Sequence, residues 1–203
     1  MKIPERIAAK LDVSRETMGK LESYVALVEK WQPRVNLVSP ASLANIWGRH
    51  IWDSAQLAPY IPGGSPRLVD VGSGAGFPGL VLAILTDAEC HLVESDQKKA
   101  IFLSTVIREC GLRAKIHNHR IESLPCLQAS IITARALAPL DRLVPLLASQ
   151  LRPGTRCLFL KGAQAEAELA ALAATLDEAS NLTWRLHPSL TNPDGSVIDL
   201  LVS

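Results

Sequence analysis

The chemistry in this 203-residue sequence is concentrated where the apolar run Leu68-Val69-Asp70-Val71 ends in an acid and passes into Gly72-Ser73-Gly74-Ala75-Gly76-Phe77-Pro78-Gly79. Glycines at 72, 74 and 76 tolerate positive φ and carry no Cβ to hold a ligand away, and the helix that follows must begin with unpaired N–H groups. The pattern predicts a strand, then a backbone cradle for a nucleotide-like ligand. A second apolar run ends in Glu94, whose carboxylate can accept hydrogen bonds from both hydroxyls of an adenosine ribose. The order Asp70-x-Gly72-x-Gly74-x-Gly76 departs from the dinucleotide pattern G-x-G-x-x-G, and an acid at the strand end suits a cationic sulfonium better than a pyrophosphate. Asp70, Gly72, Gly74, Gly76 and Glu94 therefore point to S-adenosylmethionine, with a nicotinamide dinucleotide as the alternative. Further on, His119-Arg120-Ile121-Glu122 follows a third apolar run, where it would reach the adenine side of the same crevice or simply start a helix.

Methyl transfer is an in-line displacement at a charged sulfur, so the enzyme must align a nucleophile and tolerate moving charge. An exocyclic amine usually calls for an Asn/Asp-Pro-Pro-aromatic element after the fourth strand, and pyrimidine C5 calls for a cysteine nucleophile. This chain has neither, and its fourth apolar run reads Ser130-Ile131-Ile132-Thr133-Ala134-Arg135-Ala136. A nucleophile with its own lone pair, such as a purine ring N7, needs no base. Arg135 is the residue predicted to act in catalysis, by positioning a phosphate, a guanine edge or the cofactor carboxylate; the plainer alternative pairs it with an acid on the next helix. Arg113, Lys115, His117, His119 and Arg120 form one basic run, and Arg49-His50 with Trp52 joins charge to an aromatic plane suited to RNA. Trp31, Trp47 and Trp52 also fit helical stripes that would bury them. Lys161, closing the fifth apolar run, faces the crevice as an electrostatic contributor or as a C-cap partner.

The elements that must position these residues follow an α/β pattern. Strands are predicted at about 67–71, 89–94, 113–117, 129–134, 156–161, 181–187 and 196–202, with helices near 78–87, 97–111, 139–150 and 163–179. Pro188 to Gly195 leaves no room for a helix, so the last two strands form a hairpin that closes a mostly parallel sheet with an antiparallel pair. Residues 1–62 read as an N-terminal helical extension on a core of residues 63–203. Leu21, Tyr24, Val25, Val28 and Trp31 form one stripe, Pro33 and Pro40 punctuate, Ser42 is placed to cap a helix carrying Leu43, Ile46 and Trp47, and 61–66 reads as a linker.

Hydrophobic residues at 48% and charged residues at 20% are ordinary for a globular fold and argue against disorder. A net charge of +1 steers little, so any RNA contact must come from a local patch. The charged start and the lack of a long apolar run predict a cytoplasmic protein without a membrane span. Cys90, Cys110, Cys126 and Cys157 lie far apart without metal spacing, so they read as small buried thiols and no metal is expected.

Taken together these motifs resemble the bacterial small-subunit rRNA guanine-N7 methyltransferases, the RsmG or glucose-inhibited division protein B family. The resemblance rests on Lys30-Trp31, Asn36-Leu37-Val38-Ser39, Arg49-His50-Ile51-Trp52-Asp53-Ser54, the Asp70 to Gly79 loop with its Phe77-Pro78-Gly79 end, Glu94-Ser95, Lys98-Lys99, Arg120-Ile121-Glu122, Thr133-Ala134-Arg135-Ala136 and Leu160-Lys161-Gly162. It implies a Rossmann-like class I S-adenosylmethionine-dependent methyltransferase, transferring a methyl group to N7 of a single guanine in 16S rRNA. Carried over by position, Gly72, Phe77, Ile121 and Glu122 are cofactor contacts, Arg135 stands at the cofactor and substrate junction, and loss of function is associated with low-level streptomycin resistance. The expected partner is 16S rRNA, the small ribosomal subunit or its assembly intermediate, met by a monomer through Arg49, His50, Arg120 and Lys161. Two departures stand out: Ser130 where aspartate is common, and Gln32-Pro33 where Trp-Asn is frequent. Another methyl acceptor, or a non-catalytic ribosome-binding module on the same fold, are the alternatives.

Overall fold

The computed structural model of the chain describes residues 1–176 and 181–203. Its strands are β1 (Arg67–Val71), β2 (Glu89–Val93), β3 (Ala114–His117), β4 (Ile131–Arg135), β5 (Arg156–Lys161), β6 (Leu182–Pro188) and β7 (Ser196–Val202). They form one sheet ordered β3-β2-β1-β4-β5-β7-β6, in which β1 to β5 run parallel and β7 lies antiparallel to both β5 and β6. The chain winds outward from β1 to β3 and then crosses to β4, so the carboxyl ends of β1 and β4 flank the switch point where α/β sheets bind ligands.

Alternation along the strands sorts the side chains. Leu68, Cys90, Ile131, Leu158 and Leu160 share one face with Leu82 of helix α5 (Gly79–Leu85). Val69, Val71, Ile132 and Ala134 face the other way, onto Leu140, Leu143 and Val144 of α7 (Leu140–Leu146) and Leu169 of α8 (Ala165–Ala173). Asp70, Thr133 and Arg135 thus fall on the first face, the one the N-terminal helices cover. Those helices are α1 (Glu5–Leu11), α2 (Arg15–Val35) and α3 (Pro40–Leu43), followed by a π-helical turn Trp47–Trp52 that runs into the single turn α4 (Asp53–Ala55). A continuous apolar cluster joins Ile7, Leu21, Val28 and Trp47 to Phe77 and Leu80 and to Phe102 of α6 (Gln97–Cys110).

Local details depart from the sequence reading. The cap before α3 is Ser39, whose hydroxyl accepts from Ser42 N, and Pro40 opens that helix at its first position, where no N–H is needed. Ile46 and Trp47 consequently belong to the π-helical turn and its approach. Pro33 sits inside the last turn of α2, and the Gln32 amide wraps the following turn by accepting from Leu37 N and Val38 N and donating to Val38 O. The 61–66 segment is pinned, because Gly64 and Ser65 donate to Asp87. α7 stops at Leu146 and α8 at Ala173, short of the expected 150 and 179, and 177–179 lies outside the described residues. Three cysteines are buried and Cys126 is half-buried.

Candidate active site

After β1 the backbone turns through Gly72, Gly74 and Gly76 at φ of 69°, 57° and 95°, conformations that an L side chain rarely adopts. Gly72 and Ser73 donate to Val93 O, and Gly76 donates to Ser73 O. The glycines divide the work. A Cβ on Gly74 would meet nothing nearer than Gly72 O at 3.8 Å, so this is where the backbone lies open. A Cβ on Gly72 would sit 2.7 Å from the Leu137 side chain, which covers it from the β4–α7 loop. On Gly76 it would strike Leu80 and the Tyr24 hydroxyl, and on Gly79 it would strike Leu92 and Asp70. The Cβ direction of Gly76, read from the sequence as a cofactor contact, is thus closed by core packing.

Asp70 also faces inward. It is 1% exposed beneath the loop and accepts from Thr133 Oγ1 at 2.7 Å, while its own carbonyl accepts from the Ser73 hydroxyl. Burial pushes its carboxyl up to about 6, against the opposing pull of Thr133, Ser73, Gly79 and Arg135. It lies as a strut under the cradle. Glu94 is buried at the rim, where its two oxygens accept from Gly74 N and Asp96 N, each at 2.7 Å. It ties the end of β2 to the open glycine, which places its carboxylate beside Gly74 as the sequence requires. Ile121 is buried in the cluster that includes Val93, while Glu122 beside it is exposed.

Arg135 ends β4 and reaches into the annex. It donates through Nη2 to His50 Nδ1 at 2.6 Å and through Nη1 to Arg49 O at 3.1 Å and Asp53 Oδ2 at 3.4 Å. Its guanidinium lies 5.2 Å from the Phe77 ring, and His50 stacks on the same ring at 4.7 Å and 17°. Tyr24 packs beside Phe77 and donates its hydroxyl to Ala75 O, which ties α2 to the cradle. Burial first, then Arg135 and Arg49, lower His50 to about 3, so the ring is neutral. Arginine can only donate; Nδ1 is then the acceptor, and the ring proton belongs on Nε2. That N–H and the indole N–H of Trp52 are buried without a partner.

Beyond Arg135 lies a groove of about 1020 Å³ between the annex, the loop after β4 and the β6–β7 hairpin. Of the four residues predicted to meet RNA, Arg49, His50 and Lys161 line it and Arg120 does not. Lys161 is not a free cation: its ammonium, 8% exposed, pairs with Glu168 at 2.7 Å and donates to Ala138 O at 2.6 Å. It holds the β4–α7 loop, helped by Glu168, which accepts from Leu140 N. The hairpin is locked to the annex by Gln56, which accepts from Leu190 N, and by Thr191, which donates to Asp53. Sequence reasoning gave no site role to Asp53, Tyr24, Leu137 or Thr191, although Asp53 lay inside a marked motif, Tyr24 in a helical stripe and Thr191 in the turn before the last strand.

Comparison with known proteins agrees with this layout. The family model described as GidB, rRNA small subunit methyltransferase G, matches residues 17–187. A ribosomal RNA small subunit methyltransferase G from Paramagnetospirillum magneticum is 49% identical over 97% of this chain and 94% of its own length. One from Rhodospirillum centenum is 47% identical over 95% of this chain and 87% of its own. Among solved structures, an S-adenosylmethionine-dependent methyltransferase from Aquifex aeolicus superposes with a TM-score of 0.61 at 13% identity, covering 83% of this chain and 96% of that one, which speaks for the fold. By the length and level of these matches, the chain belongs to the rRNA small subunit methyltransferase G family.

Proposed function

We propose that the chain transfers a methyl group from S-adenosylmethionine to N7 of a guanine in small-subunit ribosomal RNA. The observation that carries this reading is the meeting, at Arg135, of an open glycine cradle and an annex-walled groove that contains no free general base. S-adenosylmethionine, when bound, supplies an electrophilic methyl group on a sulfonium. The residues present suit it: Gly74 leaves its backbone open, the Glu94 carboxylate stands beside that glycine, and Phe77 closes the far end of the loop. In the groove, Asp53 is engaged by Arg135 and Thr191, and His50 Nδ1 is engaged by Arg135. With His50 lowered to about 3, its ring does not take a proton at neutral pH. An acceptor with its own lone pair requires no such step, which favours a ring nitrogen over an exocyclic amine. The chain's contribution is then alignment: Arg135 fixes the annex against Phe77, and so fixes the groove against the cradle.

The test is incubation of the protein and labelled cofactor with small subunits, and separately with deproteinised 16S rRNA, from cells lacking the gene. A single 7-methylguanine, mapped by borohydride and aniline cleavage, is expected. Label on another base or in protein would replace the acceptor, and cofactor-independent ribosome binding without label would make the chain a non-catalytic module.

A further inference from the structure

The groove carries charge that its own acids do not neutralise. Arg135 and Lys161 are matched by Asp53 and Glu168, the acids that line it. Arg6, Lys10 and Arg49 also line it; all three are exposed, and none forms an ion pair among the described residues. Arg6 and Lys10 lie four residues apart on α1 and so share a face. Lys10 Nζ stands 5.6 Å from the Trp52 ring, whose indole N–H, like His50 Nε2, is buried without a partner among the described residues. This wall therefore offers exposed cations beside an aromatic ring. The opposite rim carries two exposed leucines, Leu137 at 39% and Leu190 at 65%. Donors and positive charge on one side with apolar contact on the other match a single strand of RNA lying with its phosphates toward the annex and its bases toward the leucines.

We infer that α1 and the π-helical turn form a phosphate clamp, in which Arg6, Lys10 and Arg49 hold the backbone of the nucleotides flanking the methylated base. This rests on the RNA reading of the site but assigns it to residues at the N-terminus, and to Arg49 in place of Lys161.

The experiment measures binding of the full chain to deproteinised 16S rRNA and to a single-stranded RNA oligonucleotide, without cofactor, at several salt concentrations. Each phosphate contact adds roughly 0.7 to the slope of log K against log salt for a single strand. Arg6→Ala with Lys10→Ala should weaken binding at least about tenfold and flatten the slope by roughly 1.4, while the thermal midpoint and S-adenosylhomocysteine binding stay at wild-type values. Arg6→Lys with Lys10→Arg should keep the slope. An unchanged slope in the alanine pair, or no RNA binding by the wild type, overturns the clamp. If the wild type binds RNA with the expected slope yet methylates none, the clamp stands and the catalytic reading falls; if it methylates and the alanine pair matches it in KM and slope, the clamp falls alone.

Discussion

The cradle is held by main-chain groups: amides of Gly74 and Asp96 on Glu94, and amides of Gly72 and Ser73 on Val93. The groove beside it is held by side chains that meet across long stretches of sequence, Arg135 on the annex, Gln56 and Asp53 on the hairpin, Lys161 on the Ala138 carbonyl. Backbone-built sites are sensitive to what a residue's φ permits, whereas side-chain-built sites are sensitive to which donor or acceptor is lost. Arg135 belongs to both, through the annex and through the Phe77 ring. Its removal is the strongest test of whether they act as one unit: Arg135→Ala strands His50 Nδ1, the Arg49 carbonyl and the Asp53 carboxylate together. A loss of about 3–5 kcal/mol in denaturant unfolding is expected, the range for breaking a largely buried pair, with methyl transfer reduced at least about 100-fold. Arg135→Lys should restore little, since one ammonium does not span three acceptors. Calorimetric binding of S-adenosylhomocysteine to Arg135→Ala then separates the regions; wild-type affinity would show that the cradle stands without its link to the annex.

The buried strut gives the comparison a pH axis. With Asp70 raised to about 6 from 3.8, the folded chain holds that proton more tightly than the unfolded chain does, so the stabilisation is full below the unfolded value and is lost as pH rises through about 6. His50, lowered to about 3 from 6.5, behaves in the opposite sense: its contribution is present above 6.5 and is lost as pH falls toward 3. Asp70→Asn keeps an acceptor for Thr133 and removes the buried charge. Its stability relative to wild type should therefore rise between about pH 4.5 and about pH 7.5, by about 3 kcal/mol at most. Urea unfolding at the two pH values reads this directly, and a flat difference would remove Asp70 from its role as a charged strut.

The glycines sharpen the same contrast from within the cradle. Gly76→Ala meets Leu80 and the Tyr24 hydroxyl at a φ of 95°, so about 2–3 kcal/mol of stability should go. Gly74→Ala meets open space and should cost about 1 kcal/mol for its left-handed backbone, yet weaken cofactor binding at least about tenfold. Equal losses of affinity in both variants would mean that packing, and not backbone access, governs binding.

Legibility in the sequence follows this division. The cradle and the sheet are written in consecutive residues: alternation marked β1, β2, β4, β5 and the closing hairpin, and Asp70, Gly74 and Glu94 fell near one another as spacing required. What consecutive residues do not announce is the direction of individual groups, since a strand-end acid reads the same whether it faces a ligand or supports a loop. The groove was legible only in part: Arg49, His50, Arg135 and Lys161 stood in marked motifs, whereas Arg6, Lys10 and Leu190 share no local pattern with them and meet only through packing of the annex and the hairpin. Lys161 illustrates the point: position on β5 placed it at the crevice, but its neutralising partner lies in the next helix, at a distance in sequence that no periodicity announces.

Lys161 therefore supplies the smallest and most discriminating test. If the groove recognises RNA by free charge, removing a cation that Glu168 already neutralises should leave the salt dependence of binding unchanged, within the scatter of the wild-type slope. Lys161→Met keeps the aliphatic stem and gives up the ammonium, so Glu168 loses its ion pair while still accepting from Leu140 N. A stability loss of about 1 kcal/mol is expected, along with a change in RNA affinity of less than about twofold. Leu137 should move with it, because the Ala138 carbonyl beside that leucine loses its donor and the loop covering Gly72 loosens. The effect of Lys161→Met should accordingly appear in cofactor affinity before it appears in RNA binding, a residue lining the groove that acts on the cradle.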